Sequence, residues 1–504
     1  MTGPVWAYHD ATSYDRRDLG GRALDWGIQP EVFKTYPGLE AVKLPEPTEL
    51  PPEALSQLVT DPCPRDLGAE ITLQRLARIL SLAHSLTART RYGGAYFYFR
   101  SVASAGALYP FETYIGVMSA AGLRSGLYHH NVRDQGLTLL RAGSIFYDLR
   151  QAVPLEEGDA PPIVFFLSSI FFRSSWKYRD RAYRYHLLDT GHLLENLILA
   201  LRSEGLTCTV HYDFDDSRVN GLLCVDPVLE ACLAVVTVRG KVSEGRELTE
   251  LPGPDERLIG ASRVSPQEVD YPAIRKIHEA TSLPTLIPSS PPDMGKSLGI
   301  DSETTTPVPR PGTWPDAISY AEAVHRRRSM RNFVKQDLSA DCLAALLTLV
   351  CAEPDSAKCA EPVAESALSL GFLAGQVEGL APGFYLLNRQ AGLFGVAAGG
   401  YRIDRMTSSC LDQGWLANCA LHFLFMCNLE VMEQTWGARA YRHVMLGAGR
   451  IGQRIYLAAT SMRLGCCGIG AYYDGEAAQV LGLNDRSRLL YLVATGPVKK
   501  YVGL

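Results

Sequence analysis

The second half of the chain repeats the first. Tyr183, Arg184, Gly191, Ala200, Leu206 and Cys208 recur as Tyr441, Arg442, Gly449, Ala458, Leu464 and Cys466, each 258 positions on. Arg181, Ala182 and Asp216 recur as Arg439, Ala440 and Asp474 at the same spacing. An ungapped match across a helix, a loop and a strand implies a tandem duplication. Two copies are too few for a solenoid, which needs at least three repeats to bury its faces. They are predicted to pack on each other as an internal pseudo-dimer, with the self-complementary contact of a two-fold homodimer. The length, 504 residues, exceeds what a single core serves.

The repeat divides the chain. Residues 1–60 read as an extended arm, because prolines and lack of period forbid a long helix. Residues 61–245 form the first copy, 246–315 a Pro-rich linker with a short helix at Ala273–Ala280, and 316–504 the second copy. In the first copy, apolar residues three and four apart predict a helix over Leu73–Leu86. Tyr92–Tyr98 reads as a Gly/aromatic loop. Strands are expected at Phe111–Met118, Gly126–His130, Leu137–Leu140, Pro162–Ser168, Thr207–Phe214 and Leu233–Val238. A long helix is expected at Tyr183–Ser203. The longest apolar runs, at 163–172 and Leu416–Met432, are too short or too polar to span a membrane and predict a buried strand and a buried helix. No apolar signal-peptide core follows Met1. Twelve cysteines without a C-x-x-C pair predict reduced thiols in a cytoplasmic protein and no structural metal. A net charge of −5 argues against a nucleic-acid binder.

The copies have diverged unequally. The second copy carries Arg326-Arg327-Arg328-Ser329-Met330-Arg331 after a helical run. Arginine forks and a hydroxyl suit a phosphate, although on charge alone such a run reads rather as a solvated helix end. Aligning Ile71–Leu73 on Leu338–Ala340 places this motif on Thr60–Pro64, which has no arginine. The first copy carries Ser104-Ala105-Gly106-Ala107-Leu108-Tyr109-Pro110 before a strand, small residues that let a planar ligand approach the backbone or simply turn tightly into a sheet. Its counterpart near Glu361–Ser366 lacks that pattern. The second copy has Gly465-Cys466-Cys467-Gly468-Ile469-Gly470, where the first has Thr207-Cys208-Thr209-Val210-His211-Tyr212. Each copy keeps a different half of something.

These residues resemble the FMN-dependent nitroreductase superfamily and, within it, the SagB-type dehydrogenases that oxidise azolines in modified peptides. Arg-Arg-Ser-x-Arg at 327–331 resembles the family's FMN motif, and 104–110 with Glu112 resembles the SagB-type loop. Gly468-Ile469-Gly470 with Asp474 resembles the glycine loop beside the flavin. Leu24-Asp25-Trp26 and Gln29-Pro30 are similar to SagB-type N-termini. The resemblance implies an α+β fold of tandem nitroreductase-like domains, mainly antiparallel central sheets flanked by helices, and FMN at the interface between copies. It implies one composite site per chain. Arg327, Arg328 and Ser329 would serve the phosphate, and Arg331 the ribityl chain or the N1/O2 edge. Ser104, Ala105 and Gly106 would line the ring, with Gly468, Ile469 and Gly470 near N5. A positive group near N1/O2 stabilises reduced flavin. Lys499 and Lys500 read as solvated, His192 and His211 as core or capping residues.

Lys177-Tyr178 resembles the Lys-Tyr pair of azoline oxidation and occurs once, since its repeat positions hold Thr435-Trp436. Without the resemblance it would read as an exposed lysine beside a packing tyrosine. With it, one of the two is expected to remove the ring proton. The implied function is FMN-dependent dehydrogenation of thiazoline or oxazoline rings in a peptide, downstream of a cyclodehydratase partner. Two rivals remain at this level: a generic NAD(P)H-dependent nitro- or quinone reductase, and a non-catalytic scaffold. The higher homo-oligomeric state is not specified.

Overall fold

The computed structural model describes residues 3–17, 23–63, 70–92, 95–156, 160–240, 251, 253, 255–288, 292–353, 357–359, 366–397 and 402–499. The expected counterpart loop at Glu361–Glu365, and Lys500, lie outside the described residues.

Each copy is built on one central sheet. In the first copy the strands are β1 (Ala41–Lys43), β4 (Phe111–Val117), β5 (Gly126–Asn131), β6 (Gly136–Ala142), β7 (Ile163–Ile170), β8 (Cys208–His211) and β9 (Glu230–Val238), with the hairpin β2 (Leu86–Tyr92) and β3 (Ala95–Arg100) standing apart. The second copy has β10 (Ser302–Pro307), β11 (Ala357–Cys359), β12 (Ser369–Ala374), β13 (Gly383–Asn388), β14 (Leu393–Ala397), β15 (Leu421–Asn428), β16 (Gly465–Ile469) and β17 (Ser487–Gly496). The first sheet runs β1-β6-β5-β4-β7-β9-β8-β11 and the second β10-β14-β13-β12-β15-β17-β16. All pairs are antiparallel except β11 on β8, where a second-copy strand joins the first-copy sheet in parallel. Strands β4, β7 and β9 are buried along their whole length. That explains their near-continuous apolar sequence, since helices cover both faces.

Two helices of 22 residues, Ala182–Ser203 and Ala440–Ser461, cross at the pseudo-two-fold axis. Almost every residue in them is buried. Their crossing is set by Gly191 and Gly449. A Cβ on Gly191 would collide with Leu446 O and one on Gly449 with Leu188 O, each 3.0 Å from the other glycine's Cα. Around the axis the contacts repeat. Arg181 and Arg184 reach across to Asp474 at 2.8 and 2.7 Å, and Arg439 reaches across to Asp216 at 2.7 Å with Arg442 beside it.

The duplication extends further than the sequence reading takes it. Helix Pro4–Ala11 ends in His9-Asp10-Ala11-Thr12-Ser13, and helix Pro272–Ala280 ends in His278-Glu279-Ala280-Thr281-Ser282. Thr12 Oγ1 accepts from Arg184 at 2.8 Å and Thr281 Oγ1 from Arg442 at 2.8 Å. β1 edges the first sheet on β6 as β10 edges the second on β14. The Pro-rich stretch thus carries on the second copy what the arm carries on the first.

Two local expectations are corrected. Leu416–Met432 is not one helix: a short turn is followed by strand β15 and then helix Leu429–Trp436. Asn428 ends the strand by capping that helix, its side chain accepting from Val431 N at 3.0 Å. Tyr92–Tyr98 does not form a loop: Tyr92 ends β2 and Ala95–Tyr98 belong to β3, as β-prone aromatics favour, while Gly93 and Gly94 lie outside the described residues. No helix among the described residues is long and apolar enough to cross a membrane. The described cysteines are free thiols, and no cluster among the described residues suits a metal ion.

Candidate functional site

The second copy supplies one wall. After helix Tyr320–Arg326, capped by Ser319, the chain runs extended beside β16, and Met330 N donates to Cys466 O at 2.9 Å. Arg327 is buried and points across to the first copy, where Nε donates to Ser101 O and Nη2 to Arg100 O, both at 2.9 Å. Nε and Nη2 are therefore held by carbonyls, which makes the side chain a strut at the root of the small-residue loop. Arg328 is half-buried, bonded to the carbonyls of His325 and Arg327 and lying 5.3 Å from the Phe99 ring. Ser329 and Arg331 are exposed. Ser329 Oγ lies 2.9 Å from Tyr456 Oη, and Arg331 lies over the Trp415 ring. Lys499 is exposed with its amide on Asn332 O, beside the motif.

Behind this wall stands the glycine strand. Gly468 and Gly470 are half-buried, whereas Ile469 is packed into the second-copy core, so only its backbone belongs to the surface. A Cβ on Gly468 would collide with Tyr491 Oη, and one on Gly470 would sit 2.5 Å from Tyr185 Cε1. The Gly468 amide is already bonded to Tyr456 Oη at 2.6 Å. The Gly470 carbonyl accepts from Arg181 at 2.9 Å and Tyr185 at 3.1 Å, both from the first copy.

The first copy supplies the opposite wall. The Ser104 loop turns through left-handed conformations at Gly106 (φ 64°), Ala107 (φ 53°) and Tyr109 (φ 47°). Two of these are not glycine, a strain that surrounding structure must hold. The holder is Asp189, on the long helix Ala182–Ser203. Its carboxylate accepts from Ser104 Oγ at 2.6 Å and from Ala105 N at 3.1 Å, while Ser104 Oγ accepts from Tyr109 N at 2.9 Å. Burial pushes the Asp189 carboxyl up to about 7 even against these bonds. Sequence reasoning missed Asp189. The signal was available, since its repeat position is Gly447, making it an ionisable residue on a buried helix in one copy only.

Lys177 and Tyr178 end the helix Phe171–Tyr178, which stops at Arg179 with φ 52°. A Cβ on Gly106 would lie 2.6 Å from Tyr178 Oη and 3.1 Å from Lys177 Nζ, so only glycine lets the loop close over this pair. Tyr178 packs edge-on against Tyr185 at 4.6 Å, which joins the pair to Gly470. Partial burial, then the Arg331 charge from the other copy, lower the Lys177 pKa. Burial raises that of Tyr178 far above its ordinary value. A phenol kept protonated in this way is a hydrogen-bond donor beside the Lys177 amine. His192 lies in the interface between the long helices, bonded to Gln453 and Tyr491 at 2.8 and 3.0 Å. His211 is buried on β8, 3.0 Å from Thr237 Oγ1.

The structure thus brings Ser104, Ala105, Gly106, Lys177 and Tyr178 of one copy together with Ser329, Arg331, Gly468 and Gly470 of the other. Gly106, Gly468 and Gly470 let the backbone close onto Tyr178, Tyr491 and Tyr185, and solvent-accessible Arg331, Ser329 and Lys177 supply a guanidinium, a hydroxyl and an amine. This donor set fits FMN, a planar ring carrying an anionic phosphate. On the first copy the corresponding edge is different, because β11 pairs along β8, the repeat of the glycine strand.

Comparison with known proteins agrees with the duplication. The model of the nitroreductase family matches residues 67–241 and again 324–497. A crystal structure of a protein from Anabaena variabilis, described as a nitroreductase, superimposes with a TM-score of 0.79 at 25% identity, covering 99% of this chain and 100% of that one. The trifolitoxin-processing protein TfxB of Rhizobium leguminosarum bv. trifolii is 30% identical over 145 residues, 28% of this chain and 39% of that protein. This chain therefore matches well under half the length of that relative. A protein of Methanocaldococcus jannaschii, named as a nitroreductase, is 27% identical over 157 residues, 31% of this chain and 76% of that one.

Proposed function

The chain belongs to the nitroreductase family, whose members bind FMN, and we propose that it is an FMN-dependent dehydrogenase that oxidises thiazoline or oxazoline rings of a ribosomally made peptide to azoles. The observation that carries this reading is the convergence of Lys177 and Tyr178 from one copy with Arg331 and the glycine strand from the other. The similarity to a protein named for processing trifolitoxin supports a peptide substrate. A cyclodehydratase would supply the azoline, since the ring must be closed before it can be oxidised.

Aromatising an azoline removes a proton and a hydride, two electrons in all. FMN, when bound, supplies the hydride acceptor. Lys177 supplies the base. Its partial burial and the Arg331 charge favour the neutral amine, which takes the ring C–H proton as the electron pair moves into the new double bond. Tyr178, kept protonated by burial, donates a hydrogen bond and orients the ring. Arg331 and Ser329 hold the cofactor's anionic parts, and the Asp189-braced loop closes the pocket around the reacting atoms.

The Lys177→Ala variant tests the assignment. It is expected to keep its yellow flavin spectrum while azoline oxidation falls about 10²–10⁴-fold, the usual share of a positioned base. An unchanged rate would remove Lys177 from the chemistry. A reductase using a nicotinamide donor on quinones would be indifferent to this substitution.

A further inference from the structure

A small cavity of about 110 Å³ lies between the arm, the β2–β3 hairpin and the loop that covers Lys177. Pro30 and Val32 line it from the arm, Tyr96 and Tyr98 from the hairpin, Leu108 from the loop, and Arg173 from the helix that ends in Lys177–Tyr178. Arg173 is 1% exposed. Nε donates to Glu31 O at 3.0 Å, and Nη1 donates to Glu112 Oε1 at 2.6 Å and Tyr109 O at 3.2 Å. Nη2 is buried and has no partner. An unmade hydrogen bond from a buried guanidinium carries a full desolvation cost, so this vacancy needs an explanation.

Charge balance points the same way. A second buried guanidinium, Arg100, bonds His84 Nε2 at 2.9 Å and Val32 O at 2.8 Å, leaves Nε unpartnered, and makes no ion pair among the described residues. Glu112, already shared with His129 at 2.9 Å, is the carboxylate that Arg173 holds. The nearby Lys34 is matched by its own partner, Glu230. Two buried guanidiniums therefore face one buried carboxylate, a surplus positive charge that an arriving anion would offset. The exposed Glu31 carboxylate at the rim forms no ion pair among the described residues. The other copy differs, since Val431 stands for Arg173. Ser369, opposite Met426, stands for Glu112, opposite Ser168.

We infer that this cavity is a carboxylate subsite, floored by Arg173, for an acidic side chain of the peptide next to the reacting ring. The volume has room for roughly three or four waters at about 30 Å³ each, the size of a carboxylate on one or two methylenes. The aromatic walls pack those methylenes while the Arg173 guanidinium beneath them supplies the positive charge. The same loop touches the cavity through Leu108 and Lys177 through Gly106, so the cavity and the Lys177–Tyr178 pair are neighbours. The peptide identity of the ligand rests on the dehydrogenase reading above; the anion preference does not.

The test is calorimetric titration of the full-length, FMN-loaded protein at pH 7 with N-acetylglutamate amide and with N-acetylglutamine amide. The acidic compound is expected to bind at least ten-fold more tightly. Arg173→Met is the direct variant but disturbs the Glu112 pair, so Val32→Trp, which fills the cavity from the arm, is the second. It is expected to abolish the preference with the flavin spectrum unchanged. Equal affinities for the two compounds, or a preference that survives Val32→Trp, would overturn the subsite. Binding is read without turnover. Failure of azoline oxidation would therefore leave the subsite standing, and a missing preference in a protein that oxidises azolines would remove the subsite alone.

Discussion

Lys177 and Arg331 come from opposite copies, and the Arg331 charge is a lever on the lysine. Arg331 is a cause of the lowered Lys177 pKa, so removing it returns the amine toward its ordinary range. Arg331→Gln is expected to move the rising limb of the azoline-oxidation pH profile to higher pH, because more alkali is then needed to free the base. A profile that stays put would separate the two residues electrostatically; flavin content, measured alongside, reports on cofactor retention. Asp189 titrates in the opposite sense. Its folded carboxyl keeps a proton up to about 7, whereas an unperturbed aspartate releases it near 3.8. The folded chain binds more protons between those values, so stability falls as pH rises through that window. In Asp189→Asn this fall should vanish, which denaturant midpoints between pH 4 and 8 would show; an unchanged slope would place the carboxyl at its ordinary value. These residues differed in legibility. Lys177 and Arg331 belong to contiguous motifs. Asp189 and Arg173 do not, and each gains its meaning from partners brought together only by the fold.

The long helices touch backbone to backbone, and this contact makes a sharp prediction. Gly449→Ala places a methyl against Leu188 O, which belongs to a rigid helix and cannot swing aside. A loss of about 1–3 kcal/mol is expected from overpacking, measured by denaturant unfolding. Gly475→Ala, whose added Cβ meets nothing within 4 Å, is the matched control and should change stability by less than about 0.5 kcal/mol. At this scale the sequence was readable wherever a period or an ungapped repeat persisted. The pairing of the long helices and the strands after them follows from one constant offset. The repeat of Pro4–Ala11 in Pro272–Ala280 escaped because its offset is 269 rather than 258 and the matched tail is five residues long. β15 escaped because an apolar run crosses from strand to helix without a break in composition; only the Asn428 cap marks the join. The β2–β3 hairpin escaped because Gly93-Gly94 made its aromatic flank resemble a loop.

Across the whole molecule the two copies share one architecture, yet the residues of the proposed site gather at one junction. Ser104, Asp189, Arg173 and Lys177 have lost or never had equivalents in the second copy, and the arginine motif has none in the first. One flavin per chain is therefore expected on releasing and quantifying the cofactor by absorbance; two would defeat the composite-site reading. The glycine crossing has another consequence. In an association of separate identical subunits, every substitution appears twice and the partner can be lost by dilution. Here a single chain carries both faces of the contact, so its integrity is independent of protein concentration. A change on one side is never imposed on the other. Joining the copies end to end thus lets one surface and its former twin change independently, a division of labour that a symmetric pair has no means to encode.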